Sequence, residues 1–327
     1  MKKNIAILAG GDSAEYEISL GSARQISNIL DRTKYNPFTI LLKNADWHLV
    51  HDSYEPVHVD KNDFGLLLNG EKIHFDCSLI AIHGKPGEDG KLQAYFDMLD
   101  IPYTTCGVHS SSLTFNKFSC NTYLRGFEVL SAKSVLVKKN EKYDLKEITD
   151  KVGLPCFVKP NEGGSSCGVS KVSKPDDLES AVIRAFEEDN QVIIEQFVKG
   201  TEVTCGLLKT REKEIILPLT EIVSKNEFFD FEAKYSPSRS EEITPARVSK
   251  DIEKKCKQLS SRIYDLLNCR GVVRIDYILS GNQLFFLEIN TVPGMSENSI
   301  IPKMVSAYGM SLTDFFTLII EDAIKEA

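Results

Sequence analysis

Residues 274–290, RIDYILSGNQLFFLEIN, read as two β-strands around a turn. Side chains two apart on a strand share one face. Arg274 and Asp276 therefore point one way on the first strand, and Glu288 and Asn290 share a face on the second. Most other positions are Ile, Leu, Phe or Tyr, which suit a buried face. The chain must accommodate a hairpin whose polar face collects a cation, two acids and an amide. If Asp276 and Glu288 are cross-strand neighbours about 5 Å apart, their repulsion is roughly 3 kcal/mol at an effective dielectric of about 20. Arg274 offsets this as a structural ion pair. A hard cation offsets it better, because two carboxylates and an amide oxygen are ligands that Mg²⁺ takes beside water and phosphate, and Arg274 is then free to meet a developing anion. Register decides. A two-residue turn, Gly281-Asn282, pairs Ser280 with Gln283, sets Asp276 opposite Leu287 and sends Glu288 to the other face. The metal reading needs a three-residue turn, Gly281 to Gln283, or a bulge. Asp276 then pairs with Glu288 and Arg274 with Asn290, and that is the predicted register.

The chain has 327 residues, room for about two or three domains and a sizeable core. A formal net charge of -8 argues against sequence-independent nucleic-acid binding, which needs a basic surface, and leaves room for a local basic pocket. The apolar run Ile5 to Ala9 is shorter than the roughly 7–15 residues of a signal-peptide core. No stretch approaches the roughly 18 apolar residues of a membrane helix. The cysteines, at 77, 106, 120, 156, 167, 205, 256 and 269, form no Cys-x-x-Cys pair. They read as small core residues of a protein in the reducing cytoplasm. Neither nucleic acid nor membrane is an expected partner.

Up to about residue 107, strand and helix patterns alternate: NIAILAG, then the helix SLGSARQISNIL, the strands YNPFTILL and CSLIAIHG, the helix KLQAYFDML and the strand IPYTTC. This is the rhythm of an open parallel α/β sheet, which binds ligands at the carboxyl ends of its strands. GGDSAE lacks the G-x-G-x-x-G of dinucleotide binders, so a dehydrogenase reading is weak. From about 108 a helix, SSLTFNKFSCNTYLRGFEV, precedes strands SAKSVLVKK, LPCFVKP and QVIIEQFV and the helix PDDLESAVIRAFEED, whose Leu178, Val182, Ile183 and Phe186 form an apolar stripe. That predicts a small antiparallel sheet with helices over 108–195. Residues 196–327 hold strands TEVTCGLLK and EIILPLTEIV, a helix near 248–268, the hairpin and a terminal helix near 311–325. Between them, 225–246 is too long, polar and aromatic for a connector and reads as a docking lid.

Other polar residues stand where chemistry can use them, each beside a plainer reading. VKPNEGGSSCGVSKV is a glycine-serine flap suited to wrapping phosphate, with Lys159 as the strand lysine; it also reads as an ordinary hairpin loop. Lys117 in FNKF is by itself a solvated lysine. Glu195 and Glu202 flank the end of a buried-looking strand and are by themselves ordinary acids. Glu15, three residues after Asp12, fits a capping box. His83 in IHGKPGEDG stands at a strand's carboxyl end, where a structural histidine also sits.

Taken together and in order, GGDSAEYEISL, IHGKPGEDG, VKPNEGGSSCGVSKV, FEAKY, EEITPA, RIDYIL, LEINTVPGM and NSIIP resemble the D-alanine:D-alanine ligase family of the ATP-grasp superfamily, nearly end to end. The resemblance implies an ATP-grasp fold of three domains: an N-terminal open parallel α/β domain (1–107), a small central antiparallel domain (108–195) and a C-terminal mixed-sheet domain (196–327). It implies that ATP phosphorylates the carboxylate of one D-alanine and that the amine of a second attacks the acyl phosphate, for peptidoglycan precursor synthesis. By position, Lys117 and Lys159 resemble the phosphate-binding lysines, with Ser166 of the flap and Lys234 of FEAKY beside the nucleotide; Lys234 also borders the substrate. Glu195 and the main chain at Val198 resemble the adenine-reading groups, and Glu202 the ribose ligand. Asp276, Glu288 and Asn290 match the ligands of two Mg²⁺ ions, for which Mn²⁺ can substitute. Arg274 and the Gly294 main chain match the groups facing the reacting carbonyl and phosphate. Glu15 resembles the acceptor of the first D-alanine's ammonium, with Ser165 and Tyr235 completing its hydrogen-bonded triad. His83 is similar to a substrate-side histidine, and Ser299 and Ile300 to contacts for the second D-alanine's carboxylate. Gln196 stands where some members carry lysine. Tyr235 favours the dipeptide over a D-lactate product and excludes D-serine less well. A homodimer is the expected assembly. The competing readings are a ligase for D-serine or D-lactate and an inactive nucleotide-binding relative; the complete set from Arg274 to Asn290 speaks against the latter.

Overall fold

The computed structural model describes residues 1–50, 56–164, 167–224 and 240–326. Three β-sheets organise it. In the first, β1 (Lys3–Gly10) lies between two parallel neighbours, β2 (Tyr35–Lys43) and β7 (Cys77–Ile80). Ile5 to Leu8 are fully buried, as in parallel strands covered on both faces. Ala23 and Ile26 of α1 (Tyr16–Ile29) pack on one face, and Leu92 and Phe96 of α2 (Lys91–Met98) on the other. The parallel strands are as expected. The sheet also runs on beyond β2 as an antiparallel meander, β3 (Asp46–Leu49), β4 (Val57–Asp60), β5 (Gly65–Leu68) and β6 (Glu71–Ile73). These strands are too short to carry a clear period in the sequence. The strand expected in IPYTTC is a single bridge from Tyr103 to Ser78 before the chain leaves for the next helix.

The one helix expected after residue 108 is two, α3 (Val108–Phe115) and α4 (Lys117–Arg125). Asn116 breaks it, with φ -87 and ψ 98, and its side chain then caps α4 by accepting from Ser119 N. The second sheet is antiparallel as predicted, in the order β10 (Ser170–Val172), β9 (Cys156–Pro160), β11 (Gln191–Gln196), β8 (Ser134–Lys138). It packs on α5 (Leu145–Val152) and α6 (Leu178–Glu188). Ile183, expected in the apolar stripe of α6, is exposed; Ala181 and Ala185 complete the buried face beside Leu178 and Val182.

The third sheet runs β15 (Ser240–Ile243), β14 (Thr220–Ser224), β12 (Thr201–Lys209), β16 (Gly271–Ser280), β17 (Gln283–Asn290), with β13 (Glu214–Ile216) also on β12. A mixed sheet was expected. Its strand pairs are all antiparallel, and the parallel element is the bridge Ser131 to Phe286. β15 begins inside the expected lid, so the end of that segment is an edge strand. Ile252, Cys256 and Ile263 of α7 (Lys250–Leu266) pack beneath the sheet. α8 (Ile300–Tyr308) and α9 (Leu312–Glu326) then cross to the first sheet. One cluster joins Ile5, Ile7 and Tyr35 to Leu208, Leu217 and Val272 through Ile301, Met304, Phe315 and Ile320. At its rim Glu321 accepts from Lys3 Nζ and from the Tyr35 hydroxyl, each at 2.7 Å. Every cysteine but the half-buried Cys167 is buried. Among the described residues no helix is long and apolar enough to cross a membrane.

Candidate active site

The hairpin has the predicted register: Asp276 opposes Glu288 and Arg274 opposes Asn290. The bulge produces it, and the three-residue turn does not form. Ser280 pairs with Gln283 across Gly281-Asn282, with Gly281 at φ +59, and Tyr277 pairs with Phe286, which leaves Leu287 as the extra residue. A bulge advances side-chain phase by one. Leu284 and Phe286 before it, and Ile289 after it, therefore enter the same core with Tyr277. Arg274, Asp276, Glu288 and Asn290 line a cavity of about 680 Å³ on the other side.

Asp276 is 2% exposed. It accepts four hydrogen bonds: Arg274 Nε at 2.9 Å and the Thr204 hydroxyl on Oδ1, and Arg274 Nη2 at 2.8 Å and Asn290 Nδ2 at 3.1 Å on Oδ2. Arg274 was expected either to pair with the acids or, with a cation between them, to be free for a developing anion. It forks onto Asp276, because a partly buried guanidinium needs a partner and its neighbour two residues along shares its face. Burial works against its charge, but Asp276, Glu288 and Glu202 outweigh burial and hold its pKa above the ordinary value.

The opposite wall comes from the first sheet. Glu15 occupies the N-cap position of α1 without capping it, and Asp12 accepts instead from Asn44 N at 2.7 Å, so the capping box is absent. Glu15 lies against Gly164 of the flap, where a Cβ would strike its carboxylate. Only glycine lets the flap backbone approach so closely. His83 is buried, and burial lowers its pKa while the Glu15 charge raises it less. In the neutral ring Nδ1 donates to Val292 O at 2.7 Å, and Nε2 accepts from the Ser22 hydroxyl at 3.1 Å. Ser22 Oγ in turn accepts from Met295 N at 3.2 Å. The histidine thus pins the loop carrying Gly294 to α1. Glu88, not singled out from the sequence, ties the same loop to the turn at Gly84. Its carboxylate accepts from Gly84 N at 2.7 Å and Val292 N at 3.3 Å. Burial, then the charge of Glu15, pushes its pKa up to about 8. The acid between glycines in PGEDG was the available signal.

Ser299 is the N-cap of α8 with no side-chain cap; its hydroxyl meets Ser296 Oγ at 2.7 Å. A Cβ on Gly294 would come within 2.9 Å of Ser299 Oγ, so glycine lets that loop close on the helix end. Ile300 opens the helix, and its terminus suits an anion. Lys117, at the start of α4, donates to Gly163 O at 2.6 Å and stands 4.0 Å from the Glu288 carboxylate. Glu202 reaches the cavity from β12. Lys303 of α8, unassigned from sequence, pairs with Glu242 of β15 at 2.8 Å at its rim.

Lys159, Glu195 and Val198 are not among the residues lining this cavity. Lys159 and Glu195 form a buried ion pair between β9 and β11, and Asn121 Nδ2 donates to Glu195 at 3.0 Å. Burial opposes the lysine's charge, but Glu195 and then Glu288 raise its pKa above the ordinary value, so its field reaches the metal-ligand candidates. Ser165, Ser166, Lys234 and Tyr235, with most of the expected lid, lie outside the described residues.

The family model described as D-ala D-ala ligase N-terminus matches residues 4–106, and that described as D-ala D-ala ligase C-terminus matches 124–321. The D-alanine--D-alanine ligase of Phocaeicola vulgatus is 49% identical over 323 residues, 98% of this chain and 99% of that protein. That of Parabacteroides distasonis is 49% identical over 326 residues, 99% and 98%. Among solved structures, the VanG D-Ala:D-Ser ligase from Enterococcus faecalis superposes with TM-score 0.87 at 31% identity, covering 99% of both chains. The D-alanine--D-alanine ligase from Bacillus anthracis complexed with ATP superposes with TM-score 0.80 at 28% identity, over 99% of this chain and 98% of that one. The fold is thus the ATP-grasp fold that the resemblance implied. These matches run from the first sheet to the last helix, and the chain belongs to the D-alanine–D-alanine ligase family.

Proposed function

We propose that this chain joins two D-alanines into D-alanyl-D-alanine, releasing ADP and phosphate, for peptidoglycan precursor synthesis in the cytoplasm. The carrying observation is the cavity in which the Arg274–Asn290 hairpin face meets Glu15 and the N-terminus of α8. Glu15 suits the ammonium of the first D-alanine. Arg274 and the Gly294 main chain suit its carboxylate as it is phosphorylated. Ser299 and the Ile300 N–H suit the carboxylate of the second, whose amine then displaces phosphate from the acyl phosphate. Lys117 and Lys159 suit the nucleotide phosphates, Glu195 and Val198 the adenine, and Glu202 the ribose, with Ser166 and Lys234 beside them. Ser165 and Tyr235 are assigned to the triad with Glu15, and the flap and lid to excluding water from the acyl phosphate.

The donor set fits Mg²⁺. Asp276, Glu288 and Asn290 offer oxygens, and the cavity wall adds the acids Glu15, Glu17, Glu202 and Glu242 against Lys117, Arg274 and Lys303. Two such ions would offset the negative charge that both steps concentrate. Asp276 already accepts four bonds, so holding an ion there would take the place of one donor, and Arg274, if released, would be available to the reacting group. The divisions 1–107, 108–195 and 196–327 and a homodimer belong to the same reading.

The test is product identification with purified protein, ATP, Mg²⁺ and D-alanine. D-Alanine-dependent ADP release with one dipeptide per ADP is expected, and no release above background would defeat the proposal. Similarity to a D-Ala:D-Ser ligase motivates the second reading, D-serine as acceptor. Competing D-serine and D-lactate against D-alanine decides it.

A further inference from the structure

On the outer half of the first sheet, Asp46 and His48 of β3 share a face with His58 of β4. Trp47, Leu49, Val57 and Val59 take the opposite face and enter the core. His48 and His58 are direct cross-strand partners, their ring centroids 6.1 Å apart. Both turn Nδ1 toward one carboxylate: His48 Nδ1 is 3.2 Å from Asp46 Oδ2, and His58 Nδ1 is 3.3 Å from Asp46 Oδ1. The three donor atoms lie within 4.8 Å of one another. Neighbouring donors around a tetrahedral zinc ion, with bonds of about 2.0–2.1 Å, stand about 3.3 Å apart. His48 Nδ1 is buried and makes no hydrogen bond despite the nearby carboxylate, so that nitrogen is not committed to Asp46. None of the three lines the active-site cavity.

We infer that Asp46, His48 and His58 form a binding site for a divalent transition-metal ion of the Zn²⁺ type. Two imidazole nitrogens and a carboxylate oxygen favour Zn²⁺, Co²⁺ or Ni²⁺ over Mg²⁺, which takes oxygen. The His58 ring, 62% exposed, is free to rotate and close the donor triangle. The ion staples β3 to β4 in the antiparallel part of the sheet. Three protein ligands leave a fourth position for water. The inference is independent of the ligase reading.

The test is a Co²⁺ titration of the full chain, stripped with EDTA and held in saturating Mg²⁺ so that oxygen-ligand sites are occupied. A saturable visible band from low-coordinate Co²⁺, at one equivalent and displaced by Zn²⁺, is expected. The double variant H48A/H58A should weaken binding at least about tenfold while keeping the far-UV circular dichroism of the wild type. The single variant H58A, which alters the more exposed ring, carries the same expectation if the pair does not fold. No saturable band in the wild type, or an unchanged titration in H58A, overturns the inference. A strong sulfur-to-cobalt band in the near ultraviolet overturns it too, because the ion then sits on cysteine.

Discussion

Arg274 carries two loads at once, and they separate by mutation. It supplies two of the four donors to a buried carboxylate, and in the proposed reaction it faces the developing anion. Arg274→Ala is expected to lower kcat on the order of 10²–10³-fold, as loss of an oxyanion donor does. It also leaves Asp276 under-paired, with a stability loss of about 3–5 kcal/mol. Arg274→Lys keeps the charge without the fork, so it should recover more stability than turnover; denaturation midpoints beside initial rates check both. Near-native turnover in Arg274→Ala would remove the assigned role. Glu88 gives a pH prediction. Its folded pKa of about 8 lies above the ordinary value of 4.5. The stability it lends is therefore complete below about pH 4.5 and lost as pH rises through about 8. Glu88→Gln has no proton to lose. Relative to the wild type its stability should climb on the order of a few kcal/mol between pH 5 and 8.5, by urea denaturation without ligand. Parallel curves for the two proteins would contradict this. At this scale the sequence was informative about residue type. Alternation picked out Arg274, Asp276, Glu288 and Asn290, and the motifs picked out Glu15, His83 and Lys117. It did not disclose that Arg274 is already bonded, nor that Lys159 and Glu195 face each other, because both depend on which side chains burial leaves without water.

Among the elements, the bulge at Leu287 matters most. It lets Phe286 and Ile289, three residues apart, enter the same core while Glu288 turns out. Deleting Leu287 keeps Asp276 opposite Glu288 but removes the added local twist. Misplacement on the order of 1 Å can cost about 10²-fold in rate. The deletion variant is therefore expected to melt near the wild-type temperature with turnover reduced by about that factor. Wild-type turnover would show that register alone suffices. The helix break at Asn116 is a second case. The continuous helix expected from the sequence would have placed Lys117 in mid-helix; the break makes it the first helical residue, reaching both Gly163 and Glu288. Its only local signal was an asparagine able to cap.

In the whole molecule, one core cluster spans the first and third of the proposed divisions. Phe315 and Ile320 of α9 complete a cluster begun by Ile5, Ile7 and Tyr35. Residues 1–107 expressed alone should therefore lack a cooperative thermal transition, and Phe315→Ala, at a fully buried position, should destabilise the full chain by about 3–5 kcal/mol. A fragment that melts cooperatively would restore the independent N-terminal domain. By itself the sequence determined the class of fold, the antiparallel central sheet, the polar hairpin face and the family, because periodicity and motif chemistry are local properties. Tertiary structure alone decided the bulge, the broken helix, the antiparallel meander, the fork on Asp276 and the shared core. Each of these depends on which distant side chains compete for the same buried volume, and strand or helix period carries no record of that competition.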